Sequence, residues 1–208
     1  MRTKNSADVR ESPTFIEAAR RAQIIEAALA TIAELGFMNA SLAQIANRAG
    51  ISKSVIGYYF PTKDDLVQKA AEHFYVTGHA EMMATLGKIE NPTDLLREYI
   101  RTNIAYIDQN RVGTRAINEI VTNFRGPDGK PFYKLEDTEI LIEGTAAVFT
   151  WGQQTGAFRE FDTRVMAVTL RGAIDTFAGQ LGMNESLDVE HYIEQLTELF
   201  LRAVCANP

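Results

Sequence analysis

Apolar residues recur every third or fourth position along most of this chain, the spacing of one face of a helix. Ile25, Leu29 and Ile32 stand at i, i+4 and i+7. Thr14 and Glu17 form a capping box before them. Gly36 follows Leu35 where a left-handed C-cap residue belongs. A first helix is therefore predicted over 15–35.

The pattern then shortens. Ser41 and Gln44 make a second capping box, and Leu42, Ile45, Ala46 and Ala49 give one small apolar face before Gly50. Ser52 can cap a third helix, which ends near Tyr59 because Pro61 pushes the residue before it out of helical geometry. Thr62 with Asp65 starts a fourth helix running to about Leu86. Asn91-Pro92 is a cap followed by proline at the first helical position. Helices are predicted over 92–109 and 111–124, and "RGPDGKP" at 125–131 reads as a loop. Further helices are expected over 132–155, from Asp162 to about Leu181, and over 188–206. The sum is an all-α chain of about nine helices, with no sheet and no internal repeat.

Composition refines this. Of the 208 residues, 46% are apolar, enough for a core. No stretch approaches 18 consecutive apolar residues, so no membrane span is expected. The N-terminus lacks the apolar run of a signal peptide. Cys205 is the only cysteine, which fits a reducing, cytoplasmic location. The net charge of −6 hides an asymmetry. Residues 1–63 hold eight Lys/Arg and five Asp/Glu, a balance of +3. Residues 64–208 hold thirteen and twenty-two, a balance of −9. A small basic module is joined to a larger acidic one.

Two short helices joined by a glycine turn make a helix-turn-helix. Ala46 is small where the helices cross, Gly50 supplies the turn, and Ile45, Ile51 and Ile56 face inward. Lys53, Ser54, Gly57 and Tyr58 then face outward. Such a helix fits the major groove of B-DNA, and its flanks need donors for phosphate oxygens.

Residues 20–66, "RRAQIIEAALATIAELGFMNASLAQIANRAGISKSVIGYYFPTKDDL", resemble the DNA-binding domain of the tetracycline-repressor (TetR) family of bacterial regulators. The resemblance implies roles for matching residues. Ser41 and Gln44 contact phosphate. Ser52 opens the recognition helix, on which Lys53, Ser54 and Val55 face bases. Tyr58 and Tyr59 lie on the backbone, and Lys63 fixes a phosphate. Gly57 departs from the family, which usually has a tyrosine or another large residue there. It removes a contact and weakens the helix by about 0.5–1 kcal/mol.

The resemblance also implies a plan: an N-terminal arm over 1–14, a DNA-binding domain over 15–62, and a ligand-binding and dimerisation domain over 63–208. The protein is then a homodimeric regulator, usually a repressor, which binds an inverted-repeat operator and is released by a small-molecule effector. Pocket candidates are Phe74, Tyr99, Asn103, Tyr106, Asn118, Asn123, Phe124, Phe149, Trp151 and Gln153. Aromatics at helical spacing are more often plain core. The stripe Met166, Leu170, Ile174, Phe177 and Leu181, with Ile193, Leu196 and Phe200, suits a four-helix dimer interface or the chain's own core.

Catalysis finds little support. His73, His79 and His191 have no metal-ligand spacing, and no phosphate loop or nucleophile elbow is present. No metal, cofactor or membrane partner is expected. On the residues alone, two alternatives stay open. One is an all-helical enzyme or cofactor-binding protein with an accidental helix-turn-helix. The other is a structural protein that uses the fold without reading sequence.

Overall fold

Nine helices make up the regular structure among the described residues of the computed structural model, which are 15–134, 139–184 and 186–205. They are α1 (Phe15–Leu35), α2 (Leu42–Arg48), α3 (Lys53–Tyr59), α4 (Lys63–Leu86), α5 (Pro92–Gln109), α6 (Arg111–Asn123), α7 (Glu139–Gln154), α8 (Thr163–Met183) and α9 (Val189–Val204). The expected arm over 1–14, with Thr14 of the first capping box, lies outside the described residues.

The caps read from sequence set the boundaries. The Ser41 N–H donates to Gln44 Oε1 at 2.8 Å, and the Gln44 N–H returns to Ser41 Oγ at 3.3 Å. Thr62 and Asp65 repeat this reciprocal pairing at 3.0 Å in both directions. Asn91 Oδ1 accepts from Thr93 and Asp94, and Asp162 caps α8 through the Val165 N–H. Each cap satisfies donors that the first turn of a helix leaves open.

One boundary differs from expectation. Residues 132–134 do not start a helix, and α7 begins at Glu139. The loop before it closes on itself: the Phe132 N–H donates to Phe124 O at 3.0 Å, and the Gly126 N–H to Lys130 O at 2.9 Å. Phe132 then stacks on Phe124, ring centroids 4.5 Å apart. These local bonds hold the chain extended past the point where periodicity alone resumes.

Two apolar clusters form the interior. The first joins α1 to α4 with α6, through Ile24, Ile32, Ile45, Ile56, Leu66 and Ile120, all fully buried. The second joins α5, α7, α8 and α9 around Leu96, Ile100, Phe149, Leu170, Ile174 and Phe177. The stripe offered above as a dimer contact lies here. Leu170, Ile174, Phe177, Leu181, Ile193, Leu196 and Phe200 are all buried within this single chain, and Met166 is half-buried against them. Of the two readings, the chain's own core is where these side chains lie, and Phe177 packs on Tyr192 at 4.6 Å. Burying each such side chain is worth about 1.5–3 kcal/mol, so none is free to turn outward to a partner.

Candidate functional site

The turn between α2 and α3 places the exposed surface of α3. Gly50 has φ +66, the left-handed region a side chain disfavours. Its N–H and that of Ile51 close onto Asn47 O and Ala46 O at 3.1 and 3.0 Å. Ile45 and Ile56, both fully buried, seat the two helices on α1. Ser52 Oγ accepts the Val55 N–H and lies 2.8 Å from Ser54 Oγ.

What remains outside is polar and accessible. Ser52, Lys53, Ser54 and Gly57 are exposed, Tyr58 is 74% exposed, and Val55 is half-buried. No atom lies within 4 Å of where a Cβ on Gly57 would stand, so the helix presents a smooth notch there. Tyr59 is half-buried and meets Tyr58 edge-on at 5.0 Å. Arg21 of α1 covers the Tyr59 ring and donates to Tyr59 O at 3.2 Å, which locks the end of α3. Ser41 and Gln44 are exposed at the start of α2, tied to each other by the capping box.

Lys63 reaches back rather than out. Its Nζ donates to Phe37 O at 2.6 Å and sits 4.4 Å from the Phe37 ring centre. Burial lowers its pKa, partly offset by Asp64. An ammonium has three donors, and one is engaged here.

The ten pocket candidates do not converge on one space. Phe124 belongs to the first cluster, beside Phe37 at 5.6 Å, and Asn123 is bonded to Glu119. Asn118 links α6 to α8 through Ala178 O. Phe149 is fully buried, and Gln153 Nε2 is spent on Arg159 O and Phe161 O. Trp151 is half-buried in the same part of α7.

Two pairs do come together. Tyr106 donates to Phe74 O at 2.9 Å, and their rings are 5.3 Å apart. Gly78 and Gly113 admit these rings, since a Cβ at either would stand 2.6–2.7 Å from ring carbons. Burial, with Glu81 nearby, pushes the Tyr106 hydroxyl up to about 12. Tyr99 and Asn103 form the second pair, and here the structure adds a residue the pattern did not reveal. Arg171 of α8 donates to Tyr99 Oη at 3.3 Å, to Asn103 Oδ1 at 2.9 Å and to Asp175 Oδ1 at 3.0 Å. An arginine amid the apolar positions of α8 reads as a surface charge in sequence. The one available signal was Asp175 four residues on.

A separate groove of about 1090 Å³ runs between α5 and α9, lined by Arg97, Arg101, Glu190, Glu194 and Arg202 among others. None of the ten candidates lines it. Among the described residues, no group of three or more His, Cys, Asp or Glu could hold a metal ion, and no helix is long and apolar enough to cross a membrane.

Residues 24–70 match the family described as bacterial regulatory proteins, tetR family. The chain is 31% identical over 90 residues to the HTH-type transcriptional regulator BetI of Brucella anthropi, covering 43% of this chain and 46% of that one. It thus spans less than half the length of the curated relatives it matches. Over nearly the whole fold it is similar to a regulator structure from Saccharomonospora viridis in complex with choline, with a TM-score of 0.78, 22% identity, and 91% and 100% of the two chains covered. The transcriptional regulator FadR of Bacillus subtilis, in complex with stearoyl-CoA, gives a TM-score of 0.71 at 23% identity, with 86% and 97% covered.

Proposed function

We propose that this chain, whose residues 24–70 match the tetR family of bacterial regulatory proteins, is a member of that family and a one-component transcriptional regulator. It binds an inverted-repeat operator as a homodimer, works chiefly as a repressor in the cytoplasm, and is released by a small-molecule effector. Residues 15–62 form the DNA-binding domain, and residues 63–208 take the effector and dimerise.

The observation that carries this reading is α3. It is seven residues long and holds one buried anchor, Ile56. Its other face offers Lys53, Ser54 and Tyr58 on a rigid three-helix base. A recognition helix contacts base edges with its N-terminal residues, and Lys53 stands there. The tyrosines, Ser41 and Gln44 supply donors for the flanking phosphates. Lys63 adds a phosphate contact through its two remaining N–H groups.

Dimerisation supports two half-site contacts at once, which raises the effective concentration of the second. The surface suited to it is the outer face of α8, where Val165, Val168, Gly172 and Thr176 are exposed, with Leu199 on α9 at 63% exposure. The solved relatives with choline and with stearoyl-CoA support effector control in proteins of this fold. An effector acts by preferring the conformation that cannot dock both recognition helices.

The test is selection of an operator from random double-stranded DNA, followed by binding of Lys53→Ala. Loss of a bidentate base contact costs roughly 1–3 kcal/mol on the operator and relaxes one base pair per half-site. Equal losses on operator and random DNA would remove Lys53 from base readout. Failure to enrich any sequence would sink the regulator reading.

A further inference from the structure

Arg171 is the charge in this fold that most needs explaining. Its side chain is only 14% exposed, and it lies between α5, α8 and the Tyr75 edge of α4. Burying a charge is costly unless it is paired. Yet the groups behind it are neutral. Thr145 Oγ1 spends its proton on Leu141 O at 2.7 Å, so Tyr99 must donate to Thr145 at 2.8 Å. The Tyr99 oxygen is thereby left as an acceptor for Arg171. Asn103 is oriented in the same way: its Nδ2 donates to Tyr99 O at 2.8 Å, which turns Oδ1 toward the guanidinium.

The carboxylate bonded to Arg171 is Asp175, and its side chain is 67% exposed. The carboxylate end of this i,i+4 pair therefore stays hydrated and can leave Arg171 without a desolvation cost of its own. The arrangement is thus a desolvated guanidinium, oriented from behind by two neutral acceptors, whose outer edge is held by a weak and displaceable carboxylate. Tyr75, 47% exposed, stands beside that edge. Burial works against the Arg171 charge, but Tyr99 and Asp175 outweigh it, so its pKa lies above the ordinary value.

We propose that Arg171, backed by Tyr99 and Asn103, is the anchoring site for the carboxylate of an organic anion, which takes the guanidinium edge now held by Asp175. This rests on the effector-controlled reading above and gives the effector its chemical class. A planar guanidinium binds carboxylates through two parallel bonds, and the exposed Tyr75 stands at the outer edge where the rest of the molecule would lie. A quaternary ammonium such as choline brings like charge to a poorly solvated cation and is excluded.

The test is titration calorimetry of the full chain with octanoate, decanoate and phenylacetate, against 1-octanol, phenylacetamide and choline. At least one carboxylate binds, and its uncharged counterpart and choline bind at least tenfold more weakly. Arg171→Gln loses roughly 10- to 100-fold in affinity for that carboxylate. Asp175→Asn keeps a side-chain oxygen that can accept from Arg171 but removes the competing charge, so it binds the carboxylate about two- to fivefold more tightly, with thermal unfolding of the variant measured beside it. A purely structural arginine gives no such gain. The proposal is overturned if no carboxylate binds better than choline, or if Asp175→Asn leaves the affinity unchanged or weaker. Binding to the selected operator is measured alongside. A carboxylate that binds at Arg171 without altering operator affinity refutes effector control and leaves the anchor. Operator binding with no carboxylate binding refutes the anchor and leaves the regulator.

Discussion

Glu119 Oε2 accepts the backbone N–H of Phe37 at 3.0 Å, across 82 residues of sequence. Phe37 is clamped from its other side too, since its carbonyl takes the Lys63 ammonium at 2.6 Å. A residue of α6 and a residue of α4 therefore grip the two peptide groups that flank Phe37 in the turn between α1 and α2. Glu119→Ala leaves the Phe37 N–H part-buried without its acceptor, at a cost of about 1–3 kcal/mol. Glu119→Gln keeps an acceptor and loses less. Thermal unfolding of the two variants checks the order, and equal losses would show that the bond contributes nothing by itself.

Lys63→Ala tests the phosphate assignment. Its effect on operator and random DNA is expected to be about equal, with the salt slope falling by about one. The variant also loses the contact to Phe37 O, so stability is measured separately. An unchanged salt slope would make Lys63 a purely structural tie.

Two glycines on helices give opposite signs. Gly57→Ala meets open space, and α3 gains about 0.5–1 kcal/mol from the better helix former. Gly78→Ala places a Cβ 2.6 Å from Tyr106 Cε1, in a ring tethered by its hydroxyl to Phe74 O. Overpacking of this kind costs about 1–3 kcal/mol and outweighs the helical gain. Chemical denaturation of both variants reads the two signs.

Tyr106 predicts an alkaline limit. Its folded pKa of about 12 lies above the ordinary 10.0. The folded state therefore keeps a proton that the unfolded chain releases, and this contribution is full below pH 10 and lost as pH rises toward 12. Tyr106→Phe loses the bond to Phe74 O, about 1 kcal/mol, and declines less steeply over that window. Parallel slopes for the two proteins would refute the assignment.

Phe177→Arg and Leu199→Arg separate core from interface. Phe177 is fully buried within one chain, so the arginine unfolds the protein whatever its oligomeric state. Leu199 is exposed, so Leu199→Arg leaves the melting temperature of the monomer fold intact and shifts the dimer to monomer in sedimentation. A dimer of undiminished strength would remove this face of α9 from the interface.

The helices, their caps and the outward face of α3 were legible in the sequence, because all three depend on neighbours within about four positions. Ser41 with Gln44, Thr62 with Asp65, and Gly50 at φ +66 are local chemistry that any tertiary setting preserves. Which side of α8 faces inward was not decided at that range. The stripe through Leu170, Ile174 and Phe177 is the same whether its partner is α5, α7 and α9 of one chain or a second copy, and only three-dimensional packing chose the former. The same holds for Asn123 and Phe124, drawn to the seam with α1, and for Gln153, consumed by two loop carbonyls. Arg171 shows the limit most plainly. Its meaning comes from Tyr99 and Asn103, 72 and 68 residues away, and a charge gains significance only when folding strips its water and decides what stands in its place.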